Sequence, residues 1–197
     1  MKNLMMTALK LFIIMTILTG ILYPICITGI AEGCFPAKAN GSLLRKDGQI
    51  VGSRLIGQSF DSDLYFWSRP SAVNYQTTPS GASNLAITNK KLRLLMAERE
   101  KDFRDGNNLD DGTRIPSEMI FASGSGLDPH ISVEAAVLQV KRIAKARHLT
   151  QSQSEELLDL IGKVKESRQL GLLGEPEINV LILNLEMDNL FKTVHHE

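Results

Sequence analysis

The sequence predicts an α+β protein, with one N-terminal transmembrane helix followed by a single mixed α+β soluble domain. Three observations carry that expectation. Residues 11–31, LFIIMTILTGILYPICITGIA, run for twenty-one positions without a charge. Residues 32–88 are punctuated by turn dipeptides around a short aromatic run. Helical periodicity then takes over to about residue 168, before an apolar segment, INVLILNL at 178–185, with the look of a buried strand.

The uncharged run comes first. At ~1.5 Å per residue it matches a hydrocarbon core of ~30 Å. Residues 1–10 form a short tail before it, residues 11–31 the transmembrane helix, and residues 32–197 an extracytoplasmic α+β domain. The alternative is a cleaved signal peptide. Lys2 and Lys10 supply a basic start, and Gly29-Ile30-Ala31 or Ala37-Lys38-Ala39 has the small-x-small cleavage pattern. The run exceeds the ~7–15 residues of a signal core, which favours the anchor. Pro24 is tolerated in a spanning helix. Lys2 and Lys10 on one side balance Lys38, Arg45 and Lys46 on the other, so charge gives no firm orientation. Large trailing domains translocate largely regardless of charge, and the default is the domain outside.

Composition narrows the function classes. The chain has 22 basic and 22 acidic side chains, for a net charge of zero. No Lys/Arg cluster offers a nucleic-acid footprint. Its two cysteines, Cys26 and Cys34, fall in and just after the span and read as small hydrophobes.

Beyond the span, Asn40-Gly41, Asp47-Gly48, Arg69-Pro70, Thr78-Pro79 and Ser80-Gly81 mark turns, and Leu64-Tyr65-Phe66-Trp67 reads as a strand. A helix is expected over about 89–104, with Leu92, Leu95, Met96 and Phe103 near one face. Residues 105–113, DGNNLDDGT, read as a flexible surface loop. A second helix runs from about Ser132 to Arg147. Ser132 is its N-cap, Val133, Val137, Val140 and Ala144 form its apolar stripe, and Arg142, Lys145 and Arg147 suit its C-terminal end. A third covers about 151–168, opened by a Thr150/Gln153 capping box and faced by Leu157, Leu160, Ile161 and Val164. Gly171, Gly174 and Pro176 break the chain before the 178–185 strand, and a short terminal helix follows.

The motifs that carry chemistry are near misses. Gly52 to Ser59, GSRLIGQS, resembles a phosphate-binding loop, but Gln58 stands where the lysine must reach the phosphates. Ser123, Ser125, Asp128 and His130 crowd into ASGSGLDPH at 122–130, yet a hydrolase triad is assembled from distant segments, and the nucleophile-elbow spacing is absent. His130 and His148 stand alone, His195-His196 sit at the terminus, and no paired zinc-ligand spacing occurs. The P-type phosphorylation motif, Asp-Lys-Thr-Gly-Thr, is missing too. The residues alone describe an anchored domain without a recognisable catalytic kit. The rival is an exported, signal-bearing periplasmic serine hydrolase using Ser125 and His130.

Seven segments carry a resemblance: TGILYPICITGIAEGCFPAKANGSLL (19–44), VGSRLIGQSF (51–60), YFWSRPSA (65–72), SGASNLAITN (80–89), FASGSGLDPHIS (121–132), QVKRIAKAR (139–147) and LGEPEINVLILNLEMD (173–188). In this order they resemble the KdpC family, the single-span subunits of Kdp-type potassium-transporting ATPases. Lys38 stands where the family usually has Gln, Ala82 replaces one of a glycine pair, and Lys90 replaces a proline. The resemblance implies a non-catalytic accessory subunit of a bacterial inner-membrane complex, single-pass, with its C-terminal domain periplasmic. Its implied partners are a channel-like potassium-binding A subunit, a P-type ATP-hydrolysing B subunit, a small F subunit and membrane lipid, and no nucleic acid. No cofactor of its own is expected. ATP would be met through the B subunit, whose ATP affinity the KdpC family has been proposed to raise. The family's implicated helix glutamine falls on Gln139. Read from its helix alone, Gln139 is a polar residue flanking the apolar stripe, roughly a quarter-turn from its centre. A domain outside the membrane cannot touch cytoplasmic ATP, so topology decides whether direct contact is open to it.

Overall fold

A computed structural model of the chain describes residues 1–168 and 170–191. His195 and His196 lie outside the described residues. Two compact units divide the chain, Met1–Ser53 and a second from Arg54 onward.

The first unit is mostly one long apolar helix, α1 (Lys2–Ile17), a π-helical stretch (Leu18–Leu22) and α2 (Tyr23–Cys34). It is a candidate membrane span of 33 residues, about 50 Å long at the α-helical rise. The residues expected to form a tail are helical from Lys2. None of these three pieces has a buried residue. Thr16 and Thr19 return their hydroxyls to the backbone, donating to Phe12 O at 2.8 Å and Met15 O at 2.7 Å. Pro24 offers no N–H and its ring crowds the preceding turn, and the π-helical stretch ends two residues before it, where the widened turn gives room. After a short turn of helix, α3 (Pro36–Ala39), comes an antiparallel hairpin of β1 (Leu43–Lys46) and β2 (Gln49–Ser53). Asp47 and Gly48 close it with φ of +52° and +81°, the pair of positive values that a two-residue primed turn needs.

The second unit contains α4 (Lys90–Gly106), a 3₁₀ turn (Ser117–Met119), β3 (His130–Ser132), α5 (Val133–Ala146), α6 (Gln151–Val164), β4 (Glu177–Asn179) and α7 (Val180–Phe191). Side chains cap the helix starts, two of them as the sequence predicts. Asn89 accepts from Lys91 N at 2.8 Å, Ser132 from Ala135 N at 3.0 Å, and Thr150 and Gln153 form a complete capping box. β3 and β4 pair antiparallel with Ile131 opposite Ile178. Both isoleucines are buried, and around them pack Ala135, Val140 and Ile143 of α5, Leu157 and Ile161 of α6, Leu183 and Met187 of α7, and Phe103 of α4.

Four expectations need correction. Residues 178–185 are not a strand, since β4 ends at Asn179 and α7 begins at Val180. The buried positions Val180, Leu183, Asn184, Met187 and Phe191 repeat every three or four residues, which is helical spacing. A run of eight apolar-rich residues hides that period, because a helix buried on most sides and a buried strand read alike. Leu64–Trp67 is not a strand, since Leu64 lies in a turn, Tyr65 in a bend, and Phe66 and Trp67 join no sheet. Residues 105–113 are not simply a surface loop, for Asn107 is fully buried. The inward face of α5 is also turned from the expected stripe: Val137 is 43% exposed, while Gln139 and Arg142 are buried.

Candidate functional site

The polar centre of the second unit lies where residues 62–67 cross α5 and α7. Residues 62–65 form a turn, with Tyr65 N donating to Ser62 O at 3.2 Å, and Phe66 and Trp67 follow it with no strand to pair with, so their peptide groups must be satisfied otherwise. Side-chain amides do it. Asn184 Oδ1 accepts from Phe66 N at 2.8 Å and its Nδ2 donates to Phe66 O at 3.0 Å. Gln139 repeats the arrangement one residue on, with Oε1 accepting from Trp67 N at 2.7 Å and Nε2 donating to Trp67 O at 3.4 Å. Each primary amide thus presents one acceptor and one donor, as a neighbouring strand would.

Arg142 completes the knot. Its Nη1 donates to Asp63 O at 2.7 Å, Nη2 to Tyr65 O at 3.0 Å and to Gln139 Oε1 at 2.9 Å, and Nε to Asn107 Oδ1 at 2.9 Å. The guanidinium carbon lies 3.9 Å from the centroid of the Trp67 ring. Burial lowers its pKa to about 10, against a smaller raising influence from Asp63, and it remains a cation at neutral pH. Asn107 is held in turn by its own Nδ2 donating to Phe103 O at 2.9 Å. One turn on, Arg147 Nε donates to Leu64 O at 2.6 Å, and its guanidinium pairs with Asp188 at 2.8 Å. The edges of Leu64, Tyr65, Arg147, Leu149 and Phe191 enclose a cleft of about 380 Å³ beside this pair.

Gln139, the residue singled out by resemblance, is therefore at the centre of this knot and 0% exposed. Its oxygen accepts from Trp67 and Arg142, and its amide nitrogen reaches Ala135 O at 3.2 Å as well as Trp67 O. It is not a flanking residue. Arg142, Asn107 and Asn184 are the members that sequence reasoning missed. Their signal was a polar residue at an inward position of an otherwise apolar period, visible at Asn184 inside LILNLEM and at Arg142 beside Ile143.

The other candidate residues have plain surroundings. Gly57 places its N–H 2.7 Å from Leu127 O, and a Cβ there would lie 2.7 Å from Asp128 O. Its smallness serves a close backbone approach, and the residues directly after it form no helix to present a phosphate site. Gln58 O accepts from Ser68 Oγ at 2.8 Å. Ser125 Oγ accepts from Leu127 N at 3.1 Å, and no hydrogen bond joins Ser125 to His130 among the described residues. Asp128 and His130 do meet. Asp128 Oδ1 accepts from His130 N at 3.0 Å and lies 3.5 Å from His130 Nδ1, while Arg69 pairs with its other oxygen at 2.5 Å. His148 closes α5 at a φ of +54°. Cys26 and Cys34 are both free and exposed.

Comparison with known proteins adds a family. The family described as "K+-transporting ATPase, c chain" matches residues 5–189. The chain is 46% identical over 189 residues to the potassium-transporting ATPase KdpC subunit of Leptospira interrogans, covering 96% of this chain and 95% of that one. It is 43% identical over 192 residues to the KdpC subunit of Mycobacterium tuberculosis strain H37Rv, covering 96% and 100%. With the KdpC subunit of Sorangium cellulosum it shares 46% identity over 184 residues, covering 92% and 95%.

Proposed function

The chain belongs to the KdpC family, the c chain of K+-transporting ATPases, and from that premise we propose that it is a non-catalytic accessory subunit of a high-affinity, ATP-driven potassium transport complex. The observation that carries this reading is the match over nearly the whole chain, apolar helix included. In it, the helix anchors the chain in a bacterial inner membrane beside a channel-like A subunit, a P-type B subunit and a small F subunit, and the second unit docks on a partner outside the membrane. Two linked contacts raise effective concentration, so each can be weak while the assembly holds. No cofactor belongs to the chain itself, and any ATP is bound through the B subunit.

The role of Gln139 follows the same reading. Both polar ends of its amide are engaged inside the domain, which supports a structural role over a nucleotide contact. For direct contact with ATP it would have to leave Trp67 and Arg142. A Gln139→Ala complex separates the two. Docking predicts an unchanged ATP concentration for half-maximal hydrolysis once assembly is matched. A raised concentration in a fully assembled complex, with the C-terminus reporting cytoplasmic, would establish the chaperone role instead. The isolated chain should hydrolyse neither ATP nor esters, and turnover abolished by Ser125→Ala would revive the hydrolase.

A further inference from the structure

Away from the Gln139 knot, charged side chains converge at a second place, the base of the turn between Glu166 and Glu177. Backbone bonds close that base, with Glu166 N donating to Glu177 O at 2.8 Å and Glu177 N to Glu166 O at 3.3 Å. Leu170 and Leu172 of that turn are 91% and 83% exposed. Two glutamates directly opposite one another across a bridge repel.

His130 on β3 faces that repulsion. Its Nε2 lies 3.9 Å from Glu166 Oε1, and its Nδ1 lies 4.0 Å from Glu177 Oε1 and 3.5 Å from Asp128 Oδ1. Of the fixed cations nearby, Arg69 pairs with the other oxygen of Asp128, and Arg54 pairs at 2.7 Å with the same Glu166 oxygen that His130 faces. Glu118 and Glu175 line the same cleft of about 200 Å³, Glu118 accepting from Ser132 N at 3.3 Å. Five carboxylates thus surround two arginines and one imidazole. Only the imidazole can change its charge near neutral pH.

We propose that His130 is a pH-sensitive latch: protonated, it adds a second cation between Glu166 and Glu177 and closes the base of the turn that displays Leu170 and Leu172, and neutral, it leaves Arg54 alone to offset the two glutamates and the bridge to loosen. The surroundings favour the proton. The hydrogen bond to Asp128 raises the pKa of His130, outweighing burial, with Glu177, Asp128 and Glu166 adding to it. On an extracytoplasmic placement the latch would follow the pH of the medium, but its test does not depend on that placement.

The test uses the full chain in detergent micelles. The His130 ring resonance and the exchange protection of the Glu166 and Glu177 amides are followed from about pH 5 to about pH 8. Protection at both amides is expected to fall about three- to fivefold, the scale of partly exposed ion pairs, with the midpoint of the His130 titration. Amides of α5 should keep their protection. The His130→Gln chain should show the low value throughout, and His130→Arg the high one. Protection that stays flat through the His130 midpoint overturns the latch, as does an unchanged pH dependence in His130→Gln. The parent titration decides by itself if either variant fails to fold.

Discussion

Gln139, Asn184 and Arg142 occupy inward positions where helices ordinarily place aliphatic side chains. Each is tolerated because it replaces a missing strand for residues 62–67. Removing one leaves a buried peptide group without a partner, which costs more than the bond itself contributes. Gln139→Ala should therefore lower unfolding stability by about 1–3 kcal/mol, read from denaturant midpoints of the full chain. Gln139→Glu should be worse than its near-identical shape suggests, because it loses the donor to Ala135 O and Trp67 O. Gly106 makes a second prediction at this scale. A Cβ there would run into Cη2 of the Trp67 ring, whose face Arg142 covers. Gly106→Ala should cost about 1–3 kcal/mol through overpacking, despite improving helix propensity. A stabilised Gly106→Ala chain would show that Trp67 is not fixed.

Among the elements, β4 and α7 are joined by one residue with two tasks. Asn179 Oδ1 accepts from Ile182 N at 3.2 Å, capping α7, and Nδ2 donates to Arg54 O at 2.8 Å. Asn179→Ala should lower stability by about 1–2 kcal/mol, and Asn179→Asp should recover the cap but not the bond to Arg54. The β3 edge adds a pH dependence. Burial pushes the Asp128 carboxyl up, but hydrogen bonds from the His130 side chain and backbone, with Arg69, hold it below its ordinary value of 3.8. A depressed carboxyl stabilises the fold above its unfolded pKa, and that stability is lost as pH falls through the folded one. His130 has the opposite sign, stabilising below its ordinary 6.5 and losing that as pH rises through its raised value. The difference in stability between parent and His130→Gln should thus be largest between the two limits and shrink on both sides. A difference that grows with alkali would contradict the arrangement.

At the scale of the whole molecule, the apolar helix and the domain from Arg54 onward answer to different solvents. The helix has no buried residue and keeps 18 or more apolar-rich positions in one stretch, so lipid is the solvent that suits it. Ile17→Arg, near its middle, should impair insertion by about 2.5–3.5 kcal/mol on translocon scales, measured as the fraction resisting carbonate extraction. Insertion equal to the parent would remove the span assignment. Deleting residues 1–31 should leave the second unit with its α5 knot intact, read by Trp67 fluorescence, while weakening assembly with partner subunits.

What the sequence determined by itself was local or one-dimensional. The long uncharged run, the caps at Ser132 and Thr150, and the Asp47-Gly48 turn each act within a few residues, so their chemistry is written in order along the chain. The family was legible for the same reason, through short segments in sequence. Only the tertiary structure decided which face of α5 points inward, that INVLILNL divides between a strand end and a helix, and that residues 62–67 find partners in side chains rather than in a sheet. Those outcomes depend on groups 72 and 118 positions apart meeting at hydrogen-bond distance. Gln139 read as a flanking residue because helical periodicity counts apolar neighbours along one helix. The unpaired backbone of Phe66 and Trp67, brought in from elsewhere, makes a buried amide the better solution at that position.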